Sequence, residues 1–293
     1  MSGNSYASKL LRATLTLPAG TFPGTGSNTL TLVGYRTLAS ITGASGYPNA
    51  LDLTVFGMRQ ADMNAVTILW SAATPTAAYE RALIQLEASS DGGQSWSQVF
   101  SGTFTQAQPD YRNPPYVGLR AQAFTGNGMQ IGIAPPISYP GSATVLSVAQ
   151  ALADAMDFTL ENNGVTGNLS TPYFSGSYMD QFKQLCQHAN LDFYFDGNGT
   201  LAICPYGQPR QGKPVPVLTP TTGLRGWPTI GQYGIHVDAL FLPSFVLGGQ
   251  IKIQDSEVPG ANGTWSPYNT TLTLESLQPD GAWFAAMDCR YGA

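Results

Sequence analysis

Apolar and polar residues alternate along much of the first 140 residues. Leu11, Ala13, Leu15 and Leu17 are separated by Arg12, Thr14 and Thr16. A period of two belongs to a strand with one buried face. The same pattern recurs at Leu30 and Leu32, at Leu51, Leu53 and Val55, and at Ala82, Ile84, Leu86 and Ala88. It predicts further strands over Trp96–Thr105, Val117–Thr125 and Met129–Ala134, with a short helical turn over Met58–Thr67. Pro135, Pro136, Pro140 and Gly141 then mark a boundary.

From about residue 141 the period changes. Val145, Val148, Ala149, Leu152 and Met156 recur at helical spacing, as do Tyr178, Phe182, Leu185, Cys186 and Ala189. Ser177 and Asp180 resemble a capping box at the start of the second stripe. Asp196-Gly-Asn-Gly199 lies between two apolar runs, which predicts a hairpin. Residues 141–215 therefore read as a small α+β lobe, followed by a linker bearing Pro205, Pro209, Pro214 and Pro216. Strands return in 216–293. Ile235, Val237, Ala239 and Phe241 share one face, Thr271–Leu277 follows, and Trp283, Ala285, Met287, Cys289 and Tyr291 share another. The fold class is mainly β with a small α+β lobe, and a C-terminal segment of this length suits a small barrel or sandwich.

Composition narrows the function classes. The chain of 293 residues has 13 Lys and Arg and 18 Asp and Glu, so 11% is charged, against roughly 25% in an ordinary soluble domain. Little charge with ample apolar surface argues against disorder. Abundant Gly and Pro argue against long helices. A net charge of −5 without a basic stripe argues against an electrostatic grip on nucleic acid. The acidity is uneven. Residues 1–140 hold 7 basic and 6 acidic side chains, whereas 141–215 and 216–293 each hold 3 and 6. The three cysteines, Cys186, Cys204 and Cys289, form no CxxC pair and read as reduced small hydrophobes. The first twenty residues lack the apolar core of a signal peptide, and no stretch is long and apolar enough to insert in a membrane.

Candidate chemistry is sparse. His188 falls in the last turn of the second helix, where it complements the helix dipole. His236 and Asp238 share a strand face, but no nucleophile motif accompanies them. Two His and three scattered Cys give no metal-ligand spacing, and no cofactor motif occurs. Glu80, Glu87 and Glu161 lie in no recognisable glycosidase pattern. No catalytic, cofactor-binding or metal residue is expected. One motif is sharp: Ser89-Ser-Asp91-Gly-Gly93-Gln-Ser-Trp96 resembles the Asp-box of sialidase-type propellers, here present once. Its physical reading is structural. Asp91 bonds the turn backbone, Gly93 takes a positive φ and Trp96 packs the turn onto its sheet.

The order of longer segments carries a resemblance. LADAM (152–156), LENNGV (160–165), PYFSGSYMDQFKQLCQHANLDFYFDGNGTLAICP (172–205), LTPTTGLRGWP (218–228), LFLPSFVLGGQIKI (240–253), ANGTW (261–265) and LTLESLQPDGAWFAAMDC (272–289) follow one another, and GMR-x-x-DMN (57–64) precedes them. This order is similar to that of the baseplate or tail hub proteins of long-tailed bacteriophages, the family that includes late control protein D. The resemblance implies two tube-like β-barrel domains, 1–140 and 216–293, flanking the inserted lobe 141–215. It implies a virion protein assembled in the host cytoplasm, without enzymatic activity. It further implies a homotrimer whose pseudo-sixfold ring joins the tail tube to the central spike. Its partners would be a tube or distal ring protein, the spike, baseplate wedge components and the tape measure protein, with DNA passing unbound. Asp238, Asp255, Glu275 and Asp288 are the acidic residues expected to face the lumen. The alternatives are another tail ring component, or a carbohydrate-binding or cell-wall-degrading tail protein.

Overall fold

A computed structural model describes residues 8–67, 82–112, 115–126 and 134–291. The chain runs β1 (Leu10–Thr16), β2 (Thr29–Val33), β3 (Thr37–Ala44), β4 (Tyr47–Phe56), α1 (Gln60–Ala65), β5 (Leu83–Ser89), β6 (Ser97–Asp110) and β7 (Gly118–Thr125). Next come β8 (Ile137–Ser138), β9 (Ser142–Thr144), α2 (Val145–Ala155), β10 (Thr159–Asn162), β11 (Asn168–Ser170), β12 (Tyr173–Phe174) and α3 (Tyr178–Ala189). Then follow β13 (Leu191–Phe195), β14 (Thr200–Pro205), β15 (Val217–Leu218), β16 (Thr229–Gly231), β17 (Gly234–Leu240), β18 (Ile251–Ile253), β19 (Gly263–Ser276) and β20 (Trp283–Tyr291). The protein is mainly β, as the alternation predicts. The strand expected over Met129–Ala134 falls outside the described residues up to its last position.

Two compact units form. The first contains Met1–Ile41, Ala50–Phe124 and Leu272–Phe284; the second contains Thr42–Asn49, Thr125–Thr271 and Ala285–Ala293. In the first unit the strand order is β3-β4-β7-β6-β5-β1-β2. Register follows side-chain parity, because one face must bury its apolar set. Ala13 pairs with Leu32 on one side and Leu86 on the other, and all three are buried. The hairpin between β5 and β6 is closed by the Asp-box residues. Asp91 accepts hydrogen bonds from the Gln94 and Ser95 amides at 3.0 Å, and Ser89 Oγ accepts one from the Gly93 amide at 2.8 Å. Gly93 has φ +92°. Hydrogen bonds from the Ser89 and Ser95 hydroxyls, then from the backbone, hold the Asp91 carboxyl far below its ordinary range. The Arg12 guanidinium lies 4.4 Å over the Trp96 ring and grips Glu87 with two bonds of 2.6 and 2.7 Å.

In the second unit, β16, β17, β20 and β19 are successive neighbours, with β18 pairing β19 and β15 pairing β18. Ile235, Val237 and Ala239 are buried on β17, and Ala285, Met287 and Cys289 on β20. Tyr291 continues that parity but is 73% exposed, because the strand ends there. Gly234, at φ +148°, lies against β20, and a Cβ there would collide with the Cys289 carbonyl oxygen.

The lobe within this unit has its own core. Helices α2 and α3 pack on the sheet β10-β14-β13 through Val148, Leu152, Phe182, Leu185, Phe193 and Phe195. Thr144 Oγ1 caps α2 by accepting from the Ser147 amide. Ser177 and Asp180 form the reciprocal capping box on α3, and Asn190 ends that helix in the left-handed region at φ +52°. His188 sits in the last turn, its Nδ1 2.8 Å from the Gln184 carbonyl oxygen.

The proline-bearing stretch after β14 is more than a spacer. Its Arg210 side chain has no exposed surface. Arg210 donates to both oxygens of Glu161, at 2.9 and 2.7 Å, and to both of Asp196, at 2.6 and 2.7 Å. Lys213 adds a 2.6 Å bond to Glu161. Burial alone would lower the Arg210 pKa, but its bonds to Asp196 and Glu161 reverse it, and the net shift is upward. Burial likewise opposes charge on Glu161, yet Arg210 and Lys213 hold its carboxyl at about 2. A second group joins Asp192 to the Arg290 Nη2 at 2.7 Å, the Gly207 amide at 2.9 Å and the Ser45 hydroxyl at 3.2 Å.

Two consequences are measurable by urea denaturation. Arg210→Met leaves Asp196 without its cation and Glu161 with Lys213 alone, and is expected to cost about 3–5 kcal/mol. The Glu161 carboxyl is lower in the folded chain than its ordinary value of 4.5, so its contribution is complete above that pH. It is lost as pH falls toward 2, and the gap between wild type and Glu161→Gln should close over the same interval. Separately, Gly234→Ala is expected to destabilise by about 2–4 kcal/mol. Gly231→Ala, on the neighbouring strand where a Cβ would meet only the Gly234 carbonyl oxygen at an ordinary 3.9 Å, should stay within about 0.5 kcal/mol.

Candidate interaction surfaces

The first unit exposes the sheet face opposite its core. Strand alternation that turns Leu and Ala inward turns Thr14, Thr31, Gln85, Thr54 and Gln122 outward. Charges on this face are few, and several are engaged. Arg12 holds Glu87, Asp52 accepts from the Gln122 amide at 2.7 Å, and Arg120 lies 2.7 Å from Asp110. A shallow depression of about 430 Å³ lies on it, lined by Ser40, Asp52, Gln106, Arg120 and Glu275 among others. The surface is nearly neutral and mostly polar, with Val33, Leu83 and Phe124 as exposed apolar positions at the same parity. It offers hydrogen bonds without a strong fixed field.

The expected lumen residues fall in different places. Asp238 on β17 and Asp288 on β20 are brought together by His236. Its Nδ1 is 2.7 Å from Asp288 and its Nε2 is 3.9 Å from Asp238. Asn269 adds a 2.9 Å bond to the other Asp288 oxygen. All three ionisable side chains are 40–50% exposed. Asp255 stands apart, in the turn after β18, at φ +58°. Glu275 belongs to the first unit, where its carboxylate accepts the Ala282 amide at 2.9 Å and closes the turn between β19 and β20. The sequence pairs His236 with Asp238 by parity along one strand. The closer partner, Asp288, comes from the neighbouring strand, and only register reveals it.

The acidic residues weighed for hydrolysis have structural partners. Glu161 is bound by Arg210 and Lys213, and a carboxyl held at about 2 has the wrong shift for a general acid at neutral pH. Glu87 is bound by Arg12. Glu80 lies outside the described residues. Among the described residues no group of three or more His, Cys, Asp or Glu is placed to hold a metal ion. No helix among them is long and apolar enough to cross a membrane.

Solved structures share this fold. The 43 kDa tail protein of prophage MuSo2 from Shewanella oneidensis superposes with a TM-score of 0.60 at 11% identity, covering 97% of each chain. A tail protein from Neisseria meningitidis MC58 gives 0.59 at 10%, covering 96% of each. The Escherichia coli c3393 protein, a type VI secretion component described as similar to the T4 bacteriophage tail proteins gp27 and gp5, gives 0.60 at 10%, covering 88% of this chain and 75% of its own. At such identities the likeness is one of fold. No curated protein matches the sequence significantly. A family model does: the one described as baseplate hub gp41 matches residues 62–285, well over half of the chain, and the protein belongs to that bacteriophage baseplate hub family.

Proposed function

We propose that this hub protein is a non-enzymatic structural component that forms a homotrimeric, pseudo-sixfold ring. The ring joins the tail tube to the central spike and lines the channel through which DNA leaves. In this reading the lobe of 141–215 is inserted between two tube-like parts. The ring contacts a tube or distal ring protein on one side and the spike on the other, with wedge components and the tape measure protein as further neighbours. The virion is its final location, after assembly in the host cytoplasm.

The observation that carries the reading is the polar, nearly neutral sheet face of the first unit. A wall facing DNA works best when it does not bind phosphates in series. Phosphate contacts by Lys and Arg supply most non-specific affinity, and this face displays mainly Thr, Gln and Ser. The acidic pair Asp238 and Asp288 repels DNA in the same sense. Support for a multi-subunit ring comes from the small share of charge in the chain. Surface buried between copies disfavours charged side chains because each must shed water.

The oligomeric state tests this. Sedimentation of the purified chain should give three times the 31.1 kDa monomer mass, or, once the spike protein is added, a complex that contains three copies of the chain. A species that stays monomeric under both conditions overturns the ring.

A further inference from the structure

One end of the first unit's sheet carries more positive charge than its surroundings can match. Arg36 stands just before β3, Phe56 is the last residue of β4, Asp110 is the last of β6 and Gly118 is the first of β7. Among the described residues Arg36, Arg112 and Arg120 stand at this end, and the ion pairs formed there use one carboxylate, Asp110. Arg112 and Arg120 both bind Asp110, at 2.9 and 2.7 Å. Hydrogen bonds from Arg112, with the charges of both arginines, hold that carboxyl far below its ordinary range. Asp110 is therefore saturated, and one of the two cations attached to it stays uncompensated.

Arg36 has no carboxylate partner among the described residues. Its guanidinium lies 4.6 Å from the Phe56 ring centre and 5.8 Å from that of Tyr116. Its Nε is buried without an acceptor. Ring faces stabilise a guanidinium but accept none of its five N–H bonds in the plane. A buried donor left in this state costs free energy that a bound anion would recover. Phe56 and Tyr116 are also walls of a cavity of about 280 Å³, which Thr54, Asp110, Gly118 and Arg120 complete. The cavity thus has two aromatic walls and the Arg120–Asp110 pair in its lining, with the Arg36 guanidinium within 5.8 Å of both ring centres.

We propose that this cavity is an anion pocket that receives a carboxylate side chain from a neighbouring protein docked at this end of the sheet. The arginine fork matches a carboxylate with two parallel bonds, and the aromatic walls suit the methylenes of a Glu side chain. A DNA backbone fits less well. Duplex binding needs a row of cations along the phosphates, whereas these three are clustered in a chain of net charge −5. The pocket sits at the strand ends of the first unit's exposed face and shares Thr54 and Arg120 with the depression on it. Anion binding here is independent of whether the chain forms a ring.

The test is calorimetric titration of the full chain at low salt with a hexaglutamate peptide. Saturable binding is expected. Arg36→Met and Arg120→Gln should each weaken it by on the order of tenfold, and Arg36→Lys should weaken it less than Arg36→Met. Lys252→Met removes the same charge from β18 in the other unit and should leave binding unchanged. If Arg36→Met fails to fold by circular dichroism, Arg120→Gln and Arg36→Lys carry the comparison. The proposal is overturned if no saturable heat appears, if Lys252→Met weakens binding as much as the pocket variants, or if a 20-base-pair DNA duplex binds more tightly than the peptide in an Arg36-dependent way.

Discussion

Arg210 is a charge the second unit cannot leave unmatched. With its guanidinium wholly out of water, it demands hydrogen-bond acceptors in the plane of its fork, and it finds them on β10 and just after β13. Two strands of the lobe sheet are thereby tied to the segment that leaves the lobe. That segment reaches further. Arg210 Nη1 also donates to the Leu247 carbonyl oxygen, and its amide donates to that of Gly248. A proline-rich stretch has few amides to offer to a ladder. Here side-chain charge does the fixing that backbone pairing does elsewhere.

The elements were readable where the signal is local. Alternation at Leu11, Ala13 and Leu15 needs only neighbouring residues, and so does the capping box of Ser177 and Asp180. Signals fade where burial departs from parity. Strand β19 begins at Gly263, yet only Thr271–Leu277 is evident in the sequence. Its first half buries Trp265, Ser266 and Pro267 in succession, so no period of two appears. Non-local pairs are harder still. Asp288 lies 52 residues from His236, Arg290 98 from Asp192 and Arg210 49 from Glu161. No spacing rule links them. The proline-bearing linker of Arg210 gave no hint of a buried cation, because the residues that bury it come from elsewhere in the chain.

The scarcity of charge gains meaning once each side chain is placed. In the lobe and the second unit, charges cluster into closed groups around Arg210, Asp192 and His236. In the first unit they leave broad polar surface between them. Family membership and fold agree with a molecule whose surfaces are built for neighbours. Glu161, the acidic residue weighed for acid–base work in the lobe, is held as a carboxylate by Arg210 and Lys213.

The thiols have a practical corollary. Cys186, Cys204 and Cys289 are free and buried. Burial pushes all three upward, Cys204 to about 12. The thiolate is the reactive form, so the folded chain presents almost none of it to solvent. A single cysteine introduced on the surface would then be the sole site for a fluorophore or spin label. Distances within an assembled baseplate could be measured without first removing the native residues.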